Sequence, residues 1–407
     1  MSTRAVVRGL ETIRCSIQPN VLLVRLHTDD GHAGLGESFF GAEAVEAYLH
    51  ETVAPLLVGA PVPGPERLRR LLTGHVGFQG SGVETRGNGA VDLAVWDLLG
   101  KTTGQPVSTL LGGPYQDSLP VYNTCAGPEY VKNEPRQAVS NWGLATASSY
   151  DDLQGFLERP AELAKSLWDE GFRAMKVWPF DQAAERTGGT RLDRADLRAG
   201  LRVLDEIKNA VPEMEVMVEL HGLWSLYAAA GLMRELERFA PFWVEDPLRS
   251  DSHGSYATLQ AATSVPLATG ETLTGQRSFR GLLERSAIRV AIIDMGWSGG
   301  LTEARKIAAL ADSYDIPFAP HDCTGPISFA ACVHLALSQP NTLVQESVRA
   351  FQHTWYQELA TGLPPVENGT VRLDGRPGLG VELVPGLTER ADVTTRLSGA
   401  RSWAGRG

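Results

Sequence analysis

From Lys176 onward, short apolar runs end one after another on a carboxylate, a lysine or an imidazole. Lys176 closes one run. Glu219 and His221 stand at the end of the next, in Val-Glu-Leu-His-Gly, and Glu245 ends Trp-Val-Glu-Asp-Pro. Glu271 follows in Thr-Gly-Glu-Thr, Asp294 ends Ile-Ile-Asp-Met-Gly, His321 lies in Ala-Pro-His-Asp-Cys, and Glu346 ends Leu-Val-Gln-Glu-Ser. The steps from Glu219 through Glu245, Glu271 and Asp294 to His321 are 26, 26, 23 and 27 residues. Each step is about one strand plus one helix. Parallel strands joined by crossover helices are the arrangement that such a period favours.

Eight candidate strands follow from this reading: 121–123, 174–178, 216–220, 242–245, 267–268, 290–294, 318–320 and 343–346. Helical stretches such as Thr302 to Ser313 separate them. Eight such units in about 230 residues match a (β/α)₈ barrel, whose active site lies at the C-terminal ends of the strands. The stretch before residue 119 has a different texture. Val21 to Leu26, the turn Asp29-Asp-Gly31 and Ala33 to Glu37 read as a hairpin, with Gly34 and Gly36 loosening its far end. Ala42 to Leu72 and Gly89 to Lys101 read as helical. The expected class is therefore α/β: an α+β capping domain over 1–118, a (β/α)₈-type barrel over 119–346, and a segment over 347–407 that returns to the capping domain. The tail from Thr388 is poor in large apolar residues and is expected to be disordered. Gly127 to Tyr150 reads as an insertion over the barrel mouth.

Composition narrows the partners. The 407 residues carry 37 Lys plus Arg against 48 Asp plus Glu, a formal charge of −11, which argues against nucleic acid or an anionic membrane. No apolar run reaches the roughly 18 residues of a membrane span. Four scattered cysteines exclude a zinc knuckle and fit a reducing cytoplasm. Met1 to Cys15 has no apolar core of a secretory leader.

A lone glutamate at a strand end is ordinarily a solvated rim residue. Three carboxylates delivered by successive strands to one rim repel each other strongly unless a cation joins them. Oxygen donors favour Mg²⁺ over soft metals, so Glu219, Glu245 and Glu271 are the candidate metal ligands.

The order and spacing of these motifs resemble the enolase superfamily, in its mandelate racemase and acid-sugar dehydratase branch. The resemblance covers nearly the whole chain, including Gly34-Leu-Gly-Glu37, the helix Ala90 to Lys101, the Glu-Asp-Pro and Gly-Glu motifs, and the late Asp and His. It implies that Glu219, Glu245 and Glu271 bind the metal. It also implies that Asp294 orients His321 as a base, and that Glu346 hydrogen-bonds the substrate carboxylate. It further implies a lid after Glu37, with Phe39 and Phe40 as candidates, and a homo-oligomer.

The departures are informative. The branch usually has Asp where Glu219 stands, and Glu-Glu-Pro where Glu245-Asp246-Pro247 stands. Many members carry Lys-x-Lys on the second strand, but here the run is Lys176-Val-Trp178, so the second lysine, a base in those members, is absent. That weakens a racemase. A dehydratase needs one base and an acid for the leaving hydroxyl. His221, two residues beyond Glu219, falls on the same face of an extended strand, and the resemblance makes it that acid. The expected reaction is Mg²⁺-dependent dehydration of an acid sugar, aldonate or aldarate, to a 2-keto-3-deoxy acid. In it His321 abstracts the α-proton, and Lys176 stabilises the charge that develops. The alternatives are a cycloisomerase, racemase or epimerase using the same enediolate, and a non-catalytic barrel that only binds a metal or ligand. Trp178, Trp224 and Trp297 are candidates to line the mouth. Ser298-Gly-Gly300 is read as a turn rather than a phosphate loop.

Overall fold

The computed structural model describes residues 5–73, 82–134, 137–144 and 150–399. Part of the expected insertion, the last residues of the expected disordered tail and the first residues of the N-terminus lie outside that range. The capping sheet begins with β1 (Val7–Cys15), β2 (Val21–Thr28) and β3 (Ala33–Phe39), joined as an antiparallel meander. Its glycines do the opposite of what the sequence suggests. A Cβ on Gly36 would lie 1.8 Å from the Ala90 carbonyl oxygen, and one on Gly34 would lie 2.0 Å from that of Ala94. These glycines let β3 press directly onto the helix Val83–Thr103 rather than loosening the hairpin.

That helix is buried nearly all round from Gly89 to Leu98 because it is covered on several sides. Its polar residues tie separate parts of the chain together. Asp92 accepts hydrogen bonds from the Thr302 amide at 2.8 Å and the Thr302 hydroxyl at 2.6 Å, which docks the barrel. Asp97 accepts the amides of Leu35 and Leu379, both at 2.8 Å, and pairs with Lys101 at 2.9 Å. A fully buried carboxylate is tolerable only with such partners.

The barrel strands are β4 (Leu119–Thr124), β5 (Ala174–Val177), β6 (Glu215–Glu219), β7 (Trp243–Glu245), β8 (Leu267–Thr269), β9 (Val290–Asp294), β10 (Phe318–His321) and β11 (Gln345–Ser347). They pair in parallel from β4 to β10, and β11 pairs with β4. A bridge from Phe318 to Thr342 brings β10 against the approach to β11. All eight expected strands are present, with ends shifted by a few residues.

The barrel interior shows the strand period directly. Tyr122, Ala174, Met217, Trp243, Ile292, Ala319 and Val344 form one buried apolar cluster. Each stands two residues before Thr124, Lys176, Glu219, Glu245, Asp294, His321 and Glu346 respectively. Alternate residues of a strand share a face, so one apolar layer supports one polar layer above it. The polar layer is the site.

Residues near the C-terminus correct one expectation. Leu387–Glu389 forms a turn of 3₁₀ helix, and Val393–Gly399 is a strand, β12, antiparallel to β1 from Gly9↔Gly399 to Cys15↔Val393. The expected disorder from Thr388 fails for these residues, because backbone pairing with the capping sheet orders a segment whose side chains are mostly polar. No helix among the described residues is long and apolar enough to cross a membrane.

Candidate active site

Lys176 occupies the middle of the polar layer. It is buried, with Nζ 2.9 Å from Glu245 Oε1, 2.9 Å from Glu346 Oε1 and 3.7 Å from Glu219 Oε2. Burial opposes its charge, but Glu245 and Glu346 outweigh that and hold its pKa well above the usual lysine value. Lys176 is therefore a fixed cation.

Glu219, Glu245 and Glu271 each offer an oxygen within 4.8 Å of the others. Glu245 is positioned from below, its Oε2 accepting the Trp243 indole N–H at 2.8 Å. Glu219 Oε1 accepts the amides of Leu220 at 2.9 Å and His221 at 2.6 Å, while its Oε2 is buried with no hydrogen-bond partner. Glu271 lies two residues past β8. Gly270 makes the turn possible, with φ of +132° and a Cβ position only 2.6 Å from the Ile292 carbonyl. Asp246, where the branch usually has Glu, is buried in a left-handed conformation, and its carboxylate accepts the Thr269 hydroxyl.

Two imidazoles line the cavity beside this group, His321 at the end of β10 and His221 from the turn after β6. His321 Nδ1 is 2.8 Å from Asp294 Oδ2, and its Nε2 is 3.4 Å from Glu271 Oε2. Asp294 Oδ1 accepts the Trp297 amide at 2.6 Å, which fixes the carboxylate in turn. Burial would lower the His321 pKa, but Glu271, Glu346 and Asp294 more than offset it and hold it well above the ordinary value.

His221 reaches the site by a route the extended-strand argument did not foresee. The strand ends at Glu219, and His221 has φ of +49°, so it leaves the strand in a left-handed turn. Its Nδ1 is 2.6 Å from Asp181 Oδ2. Burial disfavours the imidazolium, but Asp181 first and Glu219 next push its pKa up to about 10. Asp181 begins the helix after β5. Sequence reading missed it, because it lies outside the strand-end register and no spacing rule selects it.

Glu346 is held by Lys176, by the Asp322 amide at 2.7 Å and by the Thr124 hydroxyl. Burial would raise its pKa, yet Lys176 and His321 bring it down to about 2.

The polar layer opens into a cavity of about 70 Å³ lined by Lys176, Glu219, His221, Glu271, His321 and Glu346, with Trp178 on its wall. Trp178 is nevertheless packed, with ring centroids 5.1 Å from Phe156 and 5.5 Å from Tyr130. A larger cavity of about 390 Å³ adjoins it, sharing Phe40, Gln137, His221, Glu271 and Trp297. Phe39 is corrected here: it is buried in the core and absent from both walls, whereas Phe40, at φ of +67°, lines both. Alternation along β3 turns Phe39 inward, and the left-handed step after it presents Phe40. Trp224 is likewise core, while Trp297 lines both cavities. Gln137, Ala138, Val139 and Trp142 of the expected insertion line the larger cavity.

This geometry has known counterparts. Residues 9–112 match the family described as mandelate racemase / muconate lactonizing enzyme, N-terminal domain, and residues 159–386 match the enolase C-terminal domain-like family. The chain belongs to the mandelate racemase / muconate lactonizing enzyme family of the enolase superfamily. A solved enolase of the mandelate racemase subgroup from Agrobacterium tumefaciens is 42% identical, with a TM-score of 0.85 over 98% of this chain and all of the other. A solved enolase protein from Sargasso Sea environmental sequence is 38% identical, with a TM-score of 0.85 over 97% of this chain and 99% of the other. The D-galactonate dehydratase of Ralstonia nicotianae is 30% identical over 399 residues, 95% of this chain and 94% of that protein. Within the family frame, the lysine missing from the second strand is replaced by a packed Trp178, and the nearest imidazole on that side is His221, 5.8 Å from it between ring centroids.

Proposed function

We propose that this chain is a Mg²⁺-dependent dehydratase that converts an acid sugar to a 2-keto-3-deoxy acid. Kinship with D-galactonate dehydratases supports hydro-lyase chemistry on a carboxylate substrate at the family level. The observation that carries the reading is the pair of imidazoles, each hydrogen-bonded to its own carboxylate, that line one small cavity together with Glu219 and Glu271 of the glutamate group.

The donor set fits a hard divalent cation. It is all oxygen, Glu219 Oε2 has no hydrogen-bond partner, and burial together with Glu219 and Glu346 pushes Glu245 up to about 7 despite Lys176. Glu219, Glu245 and Glu271 would hold Mg²⁺, which would supply the positive charge that favours loss of the proton α to a carboxylate.

The residues of the chain do the rest. Lys176 and Glu346 orient the carboxylate, Lys176 meeting the developing negative charge and the ionised Glu346 sharing the site through a bridging donor. With Glu271, the largest charge raising the His321 pKa, engaged by the cation, His321 in its neutral form takes the α-proton on Nε2, since Asp294 engages Nδ1, and the C–H electron pair forms the enediolate. His221, with Asp181 on Nδ1, delivers a proton from Nε2 to the β-hydroxyl. The C–O bond breaks, water leaves, and the enol ketonises. Two positioned histidines also favour one second reading: His221 could return a proton to the opposite face of the same carbon, which is epimerisation. Incubation of the purified protein and Mg²⁺ with a set of aldonates and aldarates separates the two. Dehydration gives a keto acid lighter by one water. Epimerisation gives α-deuterium from heavy water with no loss of water, and that product alone would overturn the dehydratase reading.

A further inference from the structure

The larger cavity has a cation that the reaction above does not use. Arg86, on the first turn of the helix Val83–Thr103 in the capping domain, lines it and is only 9% exposed. Its guanidinium carbon lies 4.5 Å from the centroid of the Trp297 ring, a stacking that steers its direction. Among the described residues no carboxylate comes within ion-pair distance of it, and its Nε is buried without a partner. Asp294 and Glu84 are near enough to attract it, but neither reaches ion-pair distance, and both Asp294 oxygens are taken, by His321 Nδ1 and the Trp297 amide. Burial lowers the Arg86 pKa, yet a guanidinium stays charged at any working pH.

A cation whose Nε is buried without a partner, and which no carboxylate engages at ion-pair distance, favours an anion that completes it. Lys176 differs in each respect. It sits at the floor, and protein carboxylates satisfy it. Arg86 stands on the capping side, and Trp297 walls both the small cavity and the large one. Among the described residues, the other charged groups on the wall of the larger cavity are Asp181, paired with His221; Glu271, in the metal group; and the exposed Glu185. Among the described residues, Arg86 is the one Arg or Lys on that wall.

We infer that Arg86, stacked on Trp297, binds a second carboxylate at the end of the substrate remote from the metal group, so that the preferred substrates are aldarates rather than aldonates. This rests on the dehydratase reading for its chemistry but not for its test. Galactarate and galactonate differ only in a terminal carboxylate against a hydroxymethyl group, and glucarate and gluconate form a second such pair. Binding of each is measured by calorimetry to Mg²⁺-loaded protein carrying His321→Asn, so that no turnover intervenes, with and without Arg86→Met. The expected result is at least one diacid bound about 10²-fold more tightly than its monoacid partner, with that ratio collapsing toward one when Arg86→Met is added. A charge-assisted bidentate contact is of this size. Equal or tighter binding of the monoacids, or Arg86→Met weakening both classes alike, overturns the inference, as does failure of every diacid to bind. Turnover by the unsubstituted protein is scored separately. Diacids that bind selectively but never lose water would leave the Arg86 assignment standing and remove the dehydratase reading. Monoacids that are dehydrated in preference to diacids would do the reverse.

Discussion

Asp181 holds His221 across 2.6 Å, from the helix that follows the neighbouring barrel strand. The contact gives His221 a defined tautomer, with Nδ1–H toward the carboxylate and Nε2 free for the substrate. Asp181→Asn removes the charge and lets the amide present the wrong group to Nδ1. Dehydration is expected to fall by about 10²-fold, within the range for a general acid made ineffective. The limb of the pH–rate profile that reports the acid should move to lower pH, because Asp181 is the main group raising the His221 pKa. An unchanged profile would mean that Asp181 only packs against the ring.

His321 and Asp294 form the second pair, at 2.8 Å. His321→Asn should abolish α-proton exchange with heavy water. His221→Asn should reduce dehydration by about 10²–10⁴-fold while the enediolate can still form. Full dehydration by the His221 variant would transfer the acid role to another group. Asp294→Asn should slow proton abstraction while the variant stays folded by circular dichroism.

Chelator should stop turnover, and Mg²⁺ should restore it, if Glu219, Glu245 and Glu271 share one ion. Glu245→Gln should weaken metal affinity measured by titration with no loss of fold, since the amide still accepts the Trp243 indole N–H. Turnover that persists in excess chelator would detach the three glutamates from the chemistry.

Stability should fall in mild acid because of a histidine far from the site. His334 is buried, its Nδ1 accepts the Ser108 amide at 3.0 Å, and burial brings its pKa down from 6.5 to about 4. Above pH 6.5 both folded and unfolded chains hold it neutral, and its contribution is complete. As pH drops from 6.5 toward 4 the unfolded chain takes up the proton first, so stability is lost across that window, by roughly 3 kcal/mol at most. His334→Asn keeps an acceptor for the Ser108 amide and cannot titrate. Its unfolding free energy should depend less steeply on pH between 4 and 6.5, and an equal slope would exclude His334 as a cause.

Gly36→Ala should destabilise the capping domain, because the added Cβ meets the Ala90 carbonyl at 1.8 Å and backbone cannot step aside as a side chain can. Overpacking typically costs about 1–3 kcal/mol, and a clash with backbone belongs at the upper end. Gly254→Ala, in open space, serves as the control. A melting temperature for Gly36→Ala equal to that control would contradict the close packing of β3 on the helix.

The period of the barrel was written in the sequence, because a strand that delivers one group to a shared rim must repeat at the length of one strand–helix unit. That alone located Lys176, Glu219, Glu245, Asp294, His321 and Glu346, since local alternation decides which face a strand residue occupies. The 26-residue step also reached Glu271 just past β8, but most of what depends on leaving the strand was not local. His221 turns in through a left-handed residue, Phe40 rather than Phe39 reaches the cavity for the same reason, and Gly34 and Gly36 are explained only by a helix more than 50 residues away. Asp181 and Arg86 belong to the site through tertiary placement, one from the helix after β5 and the other from the capping domain. The β12 strand shows the same limit from the other end of the chain: its mostly polar side chains gave no sign of order, because its order comes from backbone hydrogen bonds to β1, and only the folded capping sheet supplies that edge.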